Sequence, residues 1–315
     1  MNKIVAYKTD ISHTANIIET FSKSISLHIK GLNSECLHIN DFIHNGISKN
    51  TIAIITLGIL RGTGHLLKEA AKKNIDRYYI DHAYFDPGYE GDCWLRISKN
   101  KHSINNIKEV SAYRWEKFFS KKYLIMPWKT FEERGKNILI IPPTNAICWY
   151  FNEYEWEKNT LNFLRKNLTT EDFKNVKIRK KPNEPIVDKN GNFLGIKQHD
   201  EVQNIPLEED LQNASIIIAY NSQVALDASL KGIPVIVDKH NSCFELSFKL
   251  SDLNKGLNNP DFEIEPNRLG LFKWLSYCQF KLDEIKSGYC INFMGKSKNI
   301  KSKIIGIFDF IFETI

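Results

Sequence analysis

Residues 219–237 read Ala-Tyr-Asn-Ser-Gln-Val-Ala-Leu-Asp-Ala-Ser-Leu-Lys-Gly-Ile-Pro-Val-Ile-Val, and the apolar run Ile216-Ile217-Ile218 leads into them. The run breaks at Tyr-Asn-Ser, and a helical pattern begins at once, with Val224, Leu226, Ala228 and Leu230 as its apolar surface. Gly232 stands where a left-handed residue closes a helix, and Pro234 leads into a second β-branched run. The stretch therefore predicts a strand, a tight turn, a helix and a second strand. In a wound α/β sheet such a turn lies at the carboxyl edge of the strands. Ser222 or Asn221 would cap the helix there, leaving amide donors and a positive dipole end for a phosphate or carboxylate. An ordinary cap in an ordinary βαβ unit fits the same residues.

The same alternation extends in both directions. Upstream, Asn137 to Ile141 predicts a strand, Trp156 to Lys166 a helix and Val176 to Arg179 another strand. Asp188-Lys189-Asn190-Gly191-Asn192 is rich in turn formers, and Leu207 to Leu211 reads as a short helix. Downstream the pattern loosens until a helix near Leu271 to Cys278. In the first half, strands are expected at Ile4 to Tyr7, Leu37 to Ile39, Thr51 to Leu57 and Arg77 to Ile80. Helices fall at Thr14 to Ser24 and His65 to Lys73, while 86–129 is irregular and would carry loops and a crossover. Three parts are expected: a Rossmann-like domain at 1–130, a second at 131–295, and a C-terminal helix at 296–315. Apolar pairs in Ile304 to Ile315 suit a helix that packs back on the first domain, with an interfacial helix as the alternative.

A chain of 315 residues can bury a core in each of two domains. Its net charge of +6 suits an anionic ligand, nucleic acid or an acidic membrane face without choosing among them. Six cysteines without CxxC spacing argue against zinc ribbons and disulfide frameworks and favour a reducing cytosol. Met1 to Lys8 reads as a strand rather than a signal peptide, and no apolar run approaches the roughly 20 residues that span a bilayer. The expected protein is cytoplasmic and soluble, or peripheral to the inner membrane. Nine dispersed histidines with no HxH or HExxH spacing make a metal site an unpromising reading.

Three further stretches could carry chemistry. Gly58 to Gly64 is glycine-rich between a strand and a helix but has neither P-loop nor GxGxxG spacing. Its amides and Arg61 could meet an anion or a sugar; a plain βα turn is the competing reading. Asp81 and His82 end a buried strand, where a carboxylate would project from the sheet edge. Asp81 could act as base or as nucleophile on an anomeric carbon, with His82 positioning it or serving as acid; a turn cap is the alternative. Lys177 to Glu184 gathers four positive charges, and Arg179 with Lys181 could form a cationic lip for a nucleotide phosphate, unless the run is a solvated face.

Taken in order, these motifs resemble the capsule polysaccharide biosynthesis family of glycosyltransferases, whose best-described members transfer β-linked Kdo from CMP-Kdo. That family has a glycine-containing turn and helix before a strand ending in a Glu-Asp-Gly-Phe-Leu-Arg-Ser-like motif. Ile80 to Phe85 stands in that place here, with Trp94-Leu95-Arg96-Ile97-Ser98 a little later. A basic-His-Pro motif corresponds to Arg179-Lys180-Lys181-Pro182-Asn183-Glu184, and a Ser-containing turn with a helix ending Ala-Leu-Leu-x-Gly-x-Pro-Val corresponds to Asn221 to Val235. The similarity spans roughly residues 50–245. Lys181 replaces the family's His, His82 its frequent Gly, and Tyr277 to Gly288 looks like a motif of uncharacterised, partly phage-encoded relatives. The resemblance implies two Rossmann-like domains facing across a cleft (GT-B-like) and metal-independent glycosyl transfer from a nucleotide sugar, CMP-Kdo being one candidate. Together with the reading of the residues themselves, donor binding falls on Arg61, Arg179, Lys181, Glu184, Asn221 and Ser222 and catalysis on Asp81 and His82, with a lipopolysaccharide or capsule glycan as acceptor. A phage-type glycosyltransferase that modifies nucleic acid and a non-catalytic sugar- or nucleotide-binding protein remain the alternatives.

Overall fold

The computed structural model describes residues 2–91, 93–253, 257 and 265–294. The chain forms two compact α/β units, residues 1–102 with 277 onward and residues 103–276. The compact units meet in sequence at 102/103, whereas the sequence pattern places the division near 130. The helix Tyr113–Phe118 explains the shift. Arg114 donates from Nε to the Ser276 carbonyl at 3.0 Å, and Trp115 stacks on Phe272 at 5.7 Å, so both belong to the second unit. The expected helix at 296–315 lies outside the described residues.

Unit 1 is built on a six-stranded sheet of β1 (Lys3–Lys8), β2 (Asn33–His38), β3 (Thr51–Leu57), β4 (Asp76–His82), β5 (Trp94–Lys99) and β12 (Gln279–Lys281), in the order β12-β5-β4-β3-β1-β2. The strands from β2 to β4 are parallel, because helices Ser12–His28, Ile39–Asn45 and Thr63–Lys72 carry the chain back between them. Ile54 and Ile55 of β3 are fully buried, as a strand covered on both faces requires. Each such side chain contributes about 1.5–3 kcal/mol by leaving water. Strand β5 reverses direction against β4, and β12 reverses again against β5. Neither strand is among the expected elements; β5 falls inside the stretch read as irregular.

Unit 2 holds a four-stranded parallel sheet of β6 (Asn137–Ile141), β7 (Val176–Ile178), β10 (Ala214–Ala219) and β11 (Val235–Val237), ordered β11-β10-β6-β7. Ile138, Ile140, Ile216, Ile218 and Ile236 pack with Leu164 and Leu253 in one core cluster. A separate antiparallel hairpin, β8 (Asn183–Val187) and β9 (Phe193–Gln198), is closed by the turn-rich segment. Asp188 Oδ1 accepts from the amides of Asn190 and Asn192 at 2.8 and 2.9 Å.

The helix expected from residue 222 runs from Val224 to Leu230, with Gln223 as its N-cap. Gly232 has φ +71°, as its closing position demands. A Cβ there would lie 1.9 Å from the Pro127 carbonyl oxygen, so the incoming chain also depends on this glycine. The hydrogen bonds Met126 N to Leu230 O (2.8 Å) and Lys129 N to Gly232 O (2.9 Å) fasten that approach. Among the described residues, no helix is long and apolar enough to cross a membrane.

Candidate functional site

The principal cluster of unit 1 is centred on Asp81, one residue before the carboxyl end of β4. Side chains two apart on a strand share a face, which brings Tyr79 beside Asp81, and the antiparallel register places Arg96 of β5 directly opposite. Arg96 Nη2 donates to Asp81 Oδ2 at 3.1 Å, and Tyr79 Oη donates to the same oxygen. Asp81 Oδ1 accepts from the His82 amide at 2.8 Å and from Tyr89 Oη at 2.8 Å. His102 Nε2 lies 3.2 Å from the Tyr79 hydroxyl. The Arg96 guanidinium is centred 5.7 Å from the Tyr79 ring and 5.6 Å from the Tyr84 ring.

These contacts fix the charge state. Burial alone would push the Asp81 carboxyl up, but Arg96, then His102, the Tyr79 hydrogen bond and His82 outweigh it and hold Asp81 well below the usual carboxylate range. Burial and the Asp81 charge together push the Tyr89 phenol up, so it remains a protonated donor. Asp81 is therefore an oriented anion with little affinity for a proton. Such a carboxylate can attack an electrophile or stabilise a cation, whereas a general base works best with a pKa near the ambient pH. His82 is exposed and its ring stacks on Tyr89 at 3.9 Å.

Arg61 lies apart in sequence from that cluster, in the turn between β3 and the helix Thr63–Lys72. It is exposed and left-handed at φ +55°. The turn closes on itself, with the Thr63 hydroxyl 2.7 Å from the Leu60 carbonyl and 3.0 Å from that of Gly58.

Unit 2 distributes its predicted residues along the carboxyl edge and periphery of its sheet. Arg179 is buried, forms an ion pair with Asp210 and donates to the Ile205 carbonyl at 2.9 Å. Glu184 accepts the Asn145 amide at 2.6 Å and lies 2.7 Å from His199, whose other ring nitrogen is 3.1 Å from Glu201. These contacts fasten the β8–β9 hairpin to the helix Asn145–Phe151. Lys181 is exposed, and Asn221 and Ser222 are half-buried. Ser222 Oγ accepts from Val224 N at 3.3 Å, while its carbonyl accepts from Asn241 Nδ2 at 3.0 Å.

Beside that turn stands an aromatic group absent from the sequence-level candidates. Phe151 stacks on His240 at 4.1 Å, and Tyr220 meets Phe151 and Trp156 edge-on at 5.8 Å each. Tyr220 is fully buried, and its hydroxyl has no hydrogen-bond partner among the described residues. Burial, opposed by Asp238, lowers the His240 pKa and favours its neutral ring.

No protein-family model matches the chain. No curated protein matches it either. Among solved structures, it is similar to Thermosulfurimonas dismutans KpsC described as a beta Kdo 2,4 transferase, with a TM-score of 0.48, 11% identity and coverage of 88% of this chain and 91% of that one. The KpsC beta Kdo 2,7 transferase gives a TM-score of 0.45 and 11% identity, covering 92% of this chain and 99% of that chain. An S. aureus MnaA-UDP co-structure gives 0.29 and 10%, covering 93% and 96%.

Proposed function

We propose that the protein is a glycosyltransferase that uses a nucleotide sugar and reacts through Asp81. The observation that carries this reading is the ionised carboxylate held by Arg96, Tyr79 and the His82 amide at the carboxyl end of β4. In this reaction an Asp81 oxygen attacks the anomeric carbon. The bond from that carbon to the donor phosphate breaks, and the nucleotide leaves with the bonding electrons. An acceptor hydroxyl then displaces the Asp81 carboxylate, and its proton passes to His82. The low proton affinity of Asp81 supports a nucleophile over a general base and makes the carboxylate a good leaving group in the second step.

Unit 2 holds the donor in this reading. The rings of Phe151 and His240 offer stacking surface for a base, and Asn221, Ser222 and exposed Lys181 serve the phosphate. Arg179 and Glu184 support that edge from behind through Asp210 and His199. Arg61 extends the cationic surface of unit 1. Charge that builds on the departing phosphate is met by fixed donors, without a metal. A Kdo donor and a lipopolysaccharide or capsule acceptor rest on the motif resemblance.

The test is transfer from CMP-Kdo and from UDP-sugars by wild type and by Asp81→Ala. The variant is expected to lose at least about a thousandfold in kcat with donor affinity retained. Undiminished transfer by Asp81→Ala would remove the assignment.

A further inference from the structure

Among the described residues fourteen large hydrophobic side chains are exposed, and four of them, Tyr113, Leu124, Met126 and Phe131, fall within residues 113–131. Scattered singly, such groups need no explanation. Here they sit in a cationic stretch, for Lys117 to Phe131 contains four lysines and no acidic residue. Lys117, Lys121 and Lys122 are exposed. The fourth, Lys129, already faces an anion: Glu208 is held below the ordinary carboxylate range chiefly by its hydrogen bond to Lys231 and in lesser degree by Lys129. Acidic residues resume at Glu132 and Glu133, and Glu133 is turned back onto the Thr130 amide at 2.8 Å.

The backbone holds the apolar side chains outward. Tyr123 and Ile125 are half-buried while Leu124 and Met126 are 66% and 50% exposed, the alternation of an extended chain with one face in water. Just beyond, the chain is pinned by the bonds of the Met126 and Lys129 amides to Leu230 and Gly232, and the Arg268 guanidinium lies 4.2 Å from the Trp128 ring centre. Turning Leu124 and Met126 inward would give up these contacts. On the amino-terminal side the lysines stand over rings, Lys117 at 5.2 Å from that of Tyr113 and Lys122 at 5.5 Å from that of Tyr123.

We propose that residues 113–131 dock the protein on a lipid bilayer that carries anionic headgroups. Leu124 and Met126 enter the boundary of the acyl chains, and Lys117, Lys121 and Lys122 reach the phosphates on flexible stems. Tyr113 and Tyr123 have the amphipathic rings that settle at headgroup level. The charge is complementary to such a surface, and each lysine adds to the attraction. A nucleic acid would engage the lysines and leave Leu124 and Met126 uncovered. A protein partner fits less well, because lysine is depleted where protein surfaces pack together. The surface stands independently of whether Asp81 transfers sugar.

The test is co-sedimentation of the full chain with vesicles of phosphatidylcholine and with vesicles in which phosphatidylglycerol replaces part of it. Wild type should bind the anionic vesicles at least about tenfold more tightly than the neutral ones. Lys121→Gln with Lys122→Gln should weaken that binding by roughly 25-fold, about fivefold for each lysine, and added salt should weaken wild type in the same sense. Leu124→Ser with Met126→Ser should weaken it by at least about tenfold. Leu194 and Ile196 of β9, exposed at 66% and 55%, provide a control elsewhere in unit 2. Their paired replacement by Ser should leave vesicle binding unchanged.

Absence of binding to the anionic vesicles, or equal binding to both kinds, overturns the proposal. So does binding that neither the lysine pair nor the Leu124 and Met126 pair weakens, or that the β9 control weakens as much. A DNA oligonucleotide bound through Lys121 and Lys122, with vesicles left unbound, would assign the surface to nucleic acid instead. Should the Leu124 and Met126 variant fail to fold, as circular dichroism would show, the lysine variant carries the same comparison.

Discussion

The carboxyl edges of the two sheets are finished in different chemistry. In unit 1 the charged and hydroxylated groups of β4, β5 and their connection converge on one carboxylate. In unit 2 the charged groups pair off along the periphery, Arg179 with Asp210 and Glu184 with His199, and the centre of the edge is left to Phe151, Tyr220 and His240. Converging charge produces an oriented anion whose protonation is set by its neighbours. Dispersed charge produces clasps and leaves flat rings in the middle. One edge gathers its charge on Asp81, and the other presents a group of packed rings.

The largest expected effect tests the convergence. Arg96→Met should cost about 3–5 kcal/mol in urea unfolding at neutral pH, because it strands a nearly buried carboxylate. Asp81 has a depressed folded pKa, so its stabilisation is present above the unfolded carboxylate pKa and fades as pH falls through that range. The variant should therefore lose most near pH 7 and approach wild type in acid. A cost under 1 kcal/mol would mean that Arg96 does not anchor the anion.

The backbone closure of unit 2 comes next. Gly232→Ala forces a Cβ onto the Pro127 carbonyl at a left-handed position and should cost about 2–3 kcal/mol. A variant as stable as wild type would show that the 126–129 segment is free to shift.

A smaller effect should run in the opposite direction. Asp227, on the helix that follows Ser222, is pushed up to about 6 by burial, opposed by Lys231 and reinforced by Glu208. Because its folded pKa is raised, its contribution is most favourable below the unfolded value and is lost as pH rises through about 6. Asp227→Asn should thus stabilise the protein by up to about 2 kcal/mol at pH 7.5 and by nearly nothing at pH 4, read from paired denaturation curves. Equal curves at both pH values would place Asp227 in water.

Much of the architecture was legible because parallel strands buried on both faces leave unbroken β-branched runs, as at Thr51 to Leu57, Ile138 to Ile141 and Ile216 to Ile218. Gly232 and the Asp188 to Asn192 turn were equally readable, since each performs a backbone task that few residues can. Strand β5 was not legible. Its six residues are all buried, so alternation is lost, and Pro87, Gly88 and Gly91 just before it read as loop. With three residues, β12 is too short to show a period.

The candidate site divides along the same line. Asp81 stood out by its place at a strand end, and Tyr79 was discoverable two residues earlier on the same face. The opposition of Arg96 depends on a register that only antiparallel pairing creates. The arrival of Tyr89 depends on the path of a loop. Arg179 looked like a free cation because its partner, Asp210, lies 31 positions away in sequence.

Gln279 has a bearing on how the molecule is made. Its side chain is fully buried, accepts from the amides of Tyr84 and Phe85 at 2.9 and 3.0 Å, and donates to the Phe85 carbonyl at 3.2 Å, anchoring the backbone that leads to Tyr89. On the ribosome the first 102 residues emerge long before that anchor exists, and the whole of residues 103–276 is translated in between. At about 5–20 residues per second the nascent sheet waits at least several seconds with the β5 edge unpaired. During that interval the open edge is a template for another chain. Fragments that stop short of residue 279 should therefore tend to aggregate, and the backbone beside Asp81 is anchored only once residue 279 has been made.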